Sequence, residues 1–292
     1  MLYGYTTRRK TTTKVVRVFS TGSGGELKDI SNFEQEGIPS NTTYLTSFGI
    51  LRGTAEVYKK AIANNINYLH IDHAYFLAGH HKHKDPWYRV SKNGINLKQL
   101  NKVFPQDRFD HYFKSSVNIK PWRIKSTGHI LVLPPTQPTA WYLGADNWLN
   151  DTVNWLQTHT DRQVIVRYKP PVTFCDSFGF PLQDELIEQK KNEMKPLVRQ
   201  TSFEEDIQDA YCVIAYNSGA VVKAISEGVP VFSTDQASSW PISFDLSDIN
   251  NSKRLSQEPD RQRWFNALAY HQFHLSEMAN GTAWNLLQEW VL

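Results

Sequence analysis

The densest chemistry in this 292-residue chain lies in residues 210–234, AYCVIAYNSGAVVKAISEGVPVFST. The apolar run Tyr211–Tyr216 reads as a buried strand. Asn217, Ser218 and Gly219 then turn the chain directly into a helix expected over Gly219–Glu227. Backbone N–H groups at such a turn point outward, and the helix dipole adds about half a positive charge, so the turn can seat a phosphate. Asn217 or Ser218 can cap the helix. An ordinary βαβ turn with a capping serine has the same sequence, so both readings stand at this point. Arg167 and Lys169 end a strand expected over Gln163–Tyr168. Two residues apart, they share a strand face and can both meet a diphosphate; two exposed strand-end cations is the alternative. Thr136 follows a strand over His129–Leu133, and ligands of α/β sheets sit outside the carboxyl ends of strands.

In the first half, Asp72 closes the strand Tyr68–Asp72 between His70 and His73. A hydroxyl that attacks an electrophilic carbon needs help in losing its proton. Asp72 is the first candidate for that base and His73 the second; an Asx turn or helix cap is the plain alternative for Asp72. Gly49, Arg52 and Gly53 form a tight turn before a helix over Thr54–Asn64, where Arg52 is either an anion ligand or an exposed turn residue. GHHKHK (79–84) with Arg89, Lys92 and Asn93 reads as a mobile basic loop interleaved with Phe76, Trp87, Tyr88 and Trp122. Cations there would take phosphates and aromatic faces would stack on bases; a solvated loop is the alternative. His80, His81 and His83 have no carboxylate at ligand spacing, so no metal site is expected. Arg8, Arg9 and Lys10 are either a flexible polyanion-contacting arm or a frayed terminus.

The elements that carry these residues alternate between strand and helix. Val15–Ser20 reads as a strand stopped by TGSGG, Thr43–Ser47 as a second, and Tyr68–Asp72 as the partner across the Thr54–Asn64 helix, which makes a βαβ unit. Residues 75–125 read mostly as loop with a short helix near Leu97–Val103, and Pro121–Gly128 as a linker. The second half adds helices over Asp146–Thr158, Leu182–Asn192 and Phe203–Gln208, a strand at Pro230–Ser233, and closing helices at Asp260–His274 and Ser276–Val291. The expected fold is α/β: two Rossmann-like, doubly wound domains facing across a cleft. The boundaries read as 1–125, 126–270, and a C-terminal helix at 271–292 packing back on the first domain.

Charge divides along the same line. Residues 1–125 carry 20 Lys+Arg and 9 Asp+Glu, whereas residues 126–292 carry 12 and 20. A basic half is the compositional sign of a polyanionic partner, with a solubility gradient between domains as the bland alternative. A hydrophobic share of 40% and a charged share of 21% are those of a soluble globular chain. No apolar run approaches the roughly 20 residues of a membrane span. MLYGYTTRRKTTTK lacks the apolar stretch of a secretion signal, and Cys175 and Cys212 form no CxxC. A disulfide framework and a structural zinc site are thereby excluded, and a cytoplasmic monomer is expected.

Residues 210–234 resemble the donor-binding strand–turn–helix of GT-B glycosyltransferases: an apolar strand, a small polar turn at Asn217 and Ser218, a helix carrying Glu227, then Gly228, Pro230 and Val231. The resemblance implies that Asn217 to Gly219 contact the diphosphate of a nucleotide-sugar and that Glu227 contacts the ribose or sugar. Related bacterial polymer transferases often hold a His-Pro where Lys169-Pro170 stands here. TSFGILRGT (46–54), YLHIDHAYF (68–76) and WYRVSKNG (87–94) resemble segments of small bacteriophage-encoded GT-B-like proteins that modify DNA. That class moves a sugar from UDP-glucose to a hydroxymethylated pyrimidine, which implies a UDP-sugar donor, a DNA acceptor, and no resident cofactor or metal. A GT-B enzyme with a polysaccharide acceptor, and a non-catalytic DNA-binding protein on the same scaffold, remain the competitors.

Overall fold

The computed structural model describes residues 1–77, 87–170, 173–197 and 199–292. Along the chain run β1 (Leu2–Thr6), α1 (Lys10–Gly22), β2 (Glu26–Asp29), α2 (Phe33–Glu36), β3 (Tyr44–Phe48), α3 (Thr54–Ala63), β4 (Asn67–His73) and β5 (Trp87–Lys92). Then come β6 (His129–Leu133), α4 (Gln137–Leu143), α5 (Trp148–His159), β7 (Val164–Val166), α6 (Asp184–Met194), α7 (Phe203–Gln208) and β8 (Ala210–Ala215). The chain ends with α8 (Val221–Ser226), β9 (Val231–Ser233), α9 (Ser252–Leu255), α10 (Arg261–Tyr270), β10 (Gln272–His274), α11 (Leu275–Ala279) and α12 (Thr282–Trp290). It divides into two compact units, Met1–Ser116 with Gln262–Leu292, and Val117–Arg261. The first division thus falls at 116/117 rather than 125/126, and residues 262–292 belong with the N-terminal unit. Recounted on these units, the first carries 18 Lys+Arg and 11 Asp+Glu and the second 14 and 18. The charge asymmetry keeps its sign and shrinks.

The first unit is built on a sheet ordered β10-β5-β4-β3-β1-β2. β2, β1, β3 and β4 are parallel, whereas β5 and β10 add antiparallel to the far side. Both faces are covered, as parallel sheets require. On one face Leu2, Leu69, Ile71 and Val90 meet Val15 and Phe19 of α1 together with Met278, Ala283 and Leu287 of α11 and α12. On the other, Tyr3, Tyr5, Leu45 and Tyr68 meet Val57 and Ala61 of α3. The alternation Leu2/Tyr3 and Tyr68/Leu69 is the period of two that a sheet imposes. Arg108 anchors the closing segment: its guanidinium donates to Glu277 Oε1 (2.6 Å) and Oε2 (3.1 Å) and to the carbonyls of Ala269 and Gln272. The second unit holds the parallel sheet β7-β6-β8-β9. Ile130, Val132, Cys212, Ile214 and Phe232 fill its core against Leu156 and Phe244.

Several expected elements are corrected. Val15–Ser20 lies inside helix α1, because Val15, Val16 and Phe19 sit one helical turn apart and together face the sheet. No element was expected at Leu2–Thr6, yet β1 lies inside the sheet between β3 and β2. Leu97–Val103 is irregular rather than helical, and a π-helical turn forms instead at Phe109–Phe113. Trp87–Lys92 is strand, not loop. His271 interrupts the expected helix Asp260–His274, and Gln272–His274 pairs with β5. Pro121–Gly128 is no free linker: Trp122 Nε1 donates to Leu255 O at 2.9 Å, and Arg123 donates to the carbonyls of Ile207 and Gln208. Gly228 locks this strap down. It holds φ +77°, and a Cβ there would stand 2.1 Å from Pro121 O. The glycine of the Gly-x-Pro-Val run is therefore demanded by its left-handed backbone and by the close approach of Pro121.

Candidate functional site

Each sheet has a topological switch point, the place where successive connections leave in opposite directions. In the second unit it lies between β6 and β8, since the chain leaves β6 toward β7 and β8 toward β9. Outside the carboxyl ends of these two strands stand Thr136 and the turn Asn217–Gly219. Thr136 Oγ1 is 2.9 Å from Thr139 Oγ1 at the start of α4. The backbone N–H groups of Asn217, Ser218 and Gly219 donate to no described residue. Ser218 Oγ accepts weakly from Ala220 N at 3.3 Å. Gly219 is exposed, and a Cβ added to it would meet nothing within 4 Å. Successive outward N–H groups make an anion-binding concavity of their own. That concavity owes little to a macrodipole, because the expected helix Gly219–Glu227 is reduced to the six residues of α8. Thr234, at the end of β9, braces the turn by donating from Oγ1 to Tyr216 O at 2.6 Å. Sequence reasoning missed Thr234; its only signal is its place just past the PVFS strand.

Two donor-side residues, Arg167 and Glu227, are held by partners of their own. Arg167 is close to the edge but engaged: Nη1 donates to Asp206 Oδ2 at 2.5 Å and to Thr201 O at 2.9 Å. Asp206 is buried and is also held by Arg199 and Thr201. Burial alone would raise its carboxyl, but the hydrogen bonds from Arg199, Thr201 and Arg167 outweigh that and hold it low. Arg167 is thus the partner of a buried acid, while Lys169 stays exposed at the same strand end. Glu227 lies at the other end of α8, because the helix runs back from the carboxyl edge. Its carboxylate bridges Lys120 (2.6 Å) and Lys223 (2.7 Å), away from Asn217–Gly219.

In the first unit the switch point lies between β1 and β3. Thr7–Arg9 follow β1 there, and Gly49–Gly53 follow β3. Arg52 has a left-handed backbone (φ +64°) and Gly53 has φ +89°, the strained conformation that opens α3. Thr54 Oγ1 ties the turn by donating to Gly49 O and Leu51 O. Arg52 is half-buried and makes no ion pair or hydrogen bond with any described residue. Burial, then the nearby Arg9, lowers its proton affinity. Asp72 and His73 end β4 at the same edge. Arg89 Nη2 donates to Asp72 Oδ2 at 3.0 Å, and the His73 N–H donates to Asp72 Oδ1 at 2.7 Å. Burial would raise the Asp72 carboxyl, but the charge of Arg89, helped by His70 and His73, overrides it and holds the group far below the usual carboxylate range. A carboxylate so stabilised is a weak proton acceptor. The His73 ring meets Phe48 edge-on at 5.5 Å and Tyr88 at 6.3 Å, within the same carboxyl edge.

Arg89, Lys92 and Asn93 do not form a basic loop at this edge. Arg89, Lys92 and Asn93 belong to β5 and its end, and β5 runs antiparallel to β4. Arg89 is engaged by Asp72. Lys92 pairs in register with Leu69 and donates to Leu292 O, about 10 Å up the strand from Asp72 at the usual rise. Asn93 (φ +53°) accepts from Tyr68 N at 2.8 Å and shapes the turn. GHHKHK (79–84), with His80, His81 and His83, lies outside the described residues. No helix of the described residues is long and apolar enough to cross a membrane.

Comparison with known proteins adds little. No protein-family model matches the chain, and no curated protein matches it. Among solved structures, the chain is similar to the β-Kdo 2,7 transferase of KpsC from Thermosulfurimonas dismutans: 12% identity, TM-score 0.48, with 99% of each chain covered. It is similar also to the β-Kdo 2,4 transferase of that KpsC: 10% identity, TM-score 0.48, 94% of this chain and 92% of the other. Likeness at this level assigns the chain to no family.

Proposed function

We propose that this chain is a glycosyltransferase that moves a sugar from a nucleotide-sugar of the UDP-glucose type to the hydroxyl of a hydroxymethylated pyrimidine in DNA. The observation that carries this reading is the turn Asn217–Gly219: three successive backbone N–H groups that donate to no described residue, beyond the carboxyl ends of β6 and β8, where Thr136 also stands. Such a turn suits a diphosphate, with exposed Lys169 supplying positive charge at the same edge. The first unit suits the acceptor, since Gly49, Arg52 and Gly53 follow β3 and His73 ends the neighbouring β4 at the same carboxyl edge. In the reaction the acceptor oxygen bonds to the anomeric carbon as the bond from that carbon to the phosphate oxygen breaks. The electron pair leaves with the nucleoside diphosphate, and the acceptor proton passes to a base. His73 takes that proton in this account. Asp72, kept ionised by Arg89, positions the His73 backbone instead.

The experiment is incubation with labelled UDP-hexoses and duplexes containing hydroxymethylcytosine or hydroxymethyluracil. Label entering DNA is expected. Label entering only a polysaccharide acceptor would replace the DNA half of the proposal, and DNA binding without any transfer would leave a non-catalytic binder.

A further inference from the structure

Six cations of the first unit stand out by lacking compensation. Residues 1–25 contain no Asp or Glu. Arg9, Lys10, Lys14, Arg17 and Arg52 make no ion pair with a described residue, and Arg8 contributes only a longer-range field felt by Asp29. Lys10, Lys14 and Arg17 occupy i, i+4 and i+7 of α1, so they share one face. That face is exposed, and it lies opposite Val15, Val16 and Phe19, which are buried. Like charges at these spacings weaken a helix by about 0.2–0.5 kcal/mol per pair. Arg8, Arg9 and Lys10 also sit at the helix's positive end, where a cation is unfavourable and an acid would be usual. The first turn of α1 contains no acid and has no side-chain cap. Among the described residues of the unit, none repays this arrangement.

We infer that the exposed stripe of α1, from Arg8 to Arg17 with Arg52 at its head, is a binding surface for the phosphate backbone of duplex DNA. The inference rests on the proposed function only for the identity of the polyanion. Lys10 to Arg17 spans about 10 Å at the helical rise, which matches about three phosphates of one strand. Four of the six cations are arginines, whose forks fit phosphate oxygens two at a time. An anionic membrane is the weaker partner. The apolar face an interfacial helix would insert is already buried against the sheet, and α1 exposes no large apolar residue.

The test measures equilibrium binding of a short fluorescent duplex across a salt series, without donor, for the full chain and for the variant R8Q/R9Q/K14Q/R17Q. The four side chains hold nothing in the fold, so circular dichroism and Tm of the variant should match or exceed the parent. We expect the slope of log K against log salt to become shallower by at least about 2, near 0.9 per lost phosphate contact. The double variant K59Q/K114Q, which removes exposed cations already paired with Glu56 and Asp110, should leave the slope unchanged. An unaltered slope in the quadruple variant, or retention on vesicles of anionic lipid with no duplex binding, would overturn the inference. Failure of the two readings is separable. Binding through the stripe with no sugar transfer refutes only the proposed function, and transfer with an unaltered slope refutes only the stripe.

Discussion

The two switch points are built on the same topological rule and differ in what they leave uncompensated. In the second unit the cation nearest the edge, Arg167, is neutralised by Asp206, and what remains is a polar turn of free N–H groups. In the first unit the acid at the edge, Asp72, is neutralised by Arg89, and what remains is positive charge on Arg9 and Arg52. A hydrogen-bonding turn with one exposed cation, Lys169, suits one compact ligand held in a fixed pose. An unbalanced charge suits an extended polyanion held with little geometric demand. In each unit the sequence-prominent ionisable residue is the one that the fold consumes.

The largest effect that sharpens this contrast concerns what holds the first unit together. Arg108→Met should destabilise the protein by about 3–5 kcal/mol, because it orphans the buried Glu277 carboxylate; urea titration measures it. Next is the pH dependence of the same unit. His271 is buried, with Nδ1 2.7 Å from Ala267 O, and desolvation pushes its imidazole down to about 4. The unfolded chain binds a proton at this residue near pH 6.5 and the folded one only near 4. Stability is therefore full above about 6.5 and falls as pH drops toward 4, by about 3 kcal/mol. Thermal melts of the parent and of His271→Gln across that window should diverge; parallel curves would contradict the assignment. In the second unit, Asn217→Ala with Ser218→Ala leaves the three backbone N–H groups in place, so transfer should fall less than about 10-fold with little change in Tm. Gly219→Ala fits the open space around it, so a rise in donor KM at constant Tm isolates ligand approach from folding. The smallest effect is the most diagnostic of function over stability. Arg9→Glu should raise stability by about 0.3–1 kcal/mol by complementing α1, while weakening duplex binding. A destabilised Arg9→Glu protein would mean that the arginine serves the fold.

Much of the second unit is legible in the sequence, because its strands read as continuous apolar runs: the buried HILVL and AYCVIA and the half-buried edge strand VIV. The turn at Asn217–Gly219 follows from one such run meeting Gly. The first unit is harder to read. VVRVFS carries β-branched residues into a helix because α1 packs Val15, Val16 and Phe19 on the sheet, and tertiary burial overrides local preference. β5 and β10 are short antiparallel additions whose partner lies far along the chain, so no local pattern announces them. Side-chain partners were the least legible. Spacing suggests that Arg167 and Lys169 share a strand face, but β7 ends at Val166, and spacing does not announce that Asp206, 39 residues away, claims Arg167. The strand ending in Asp72 is evident, whereas its pairing with Arg89 depends on β5 running antiparallel.

Steady-state transfer of labelled hexose from UDP-hexose to a hydroxymethylcytosine duplex tests the division of labour most directly, with the parent compared against Gly219→Ala and against R8Q/R9Q/K14Q/R17Q. The account predicts that the first variant raises the KM for donor alone and the second the KM for DNA alone. Label absent from DNA with every UDP-hexose, or both variants raising the same KM, would contradict it.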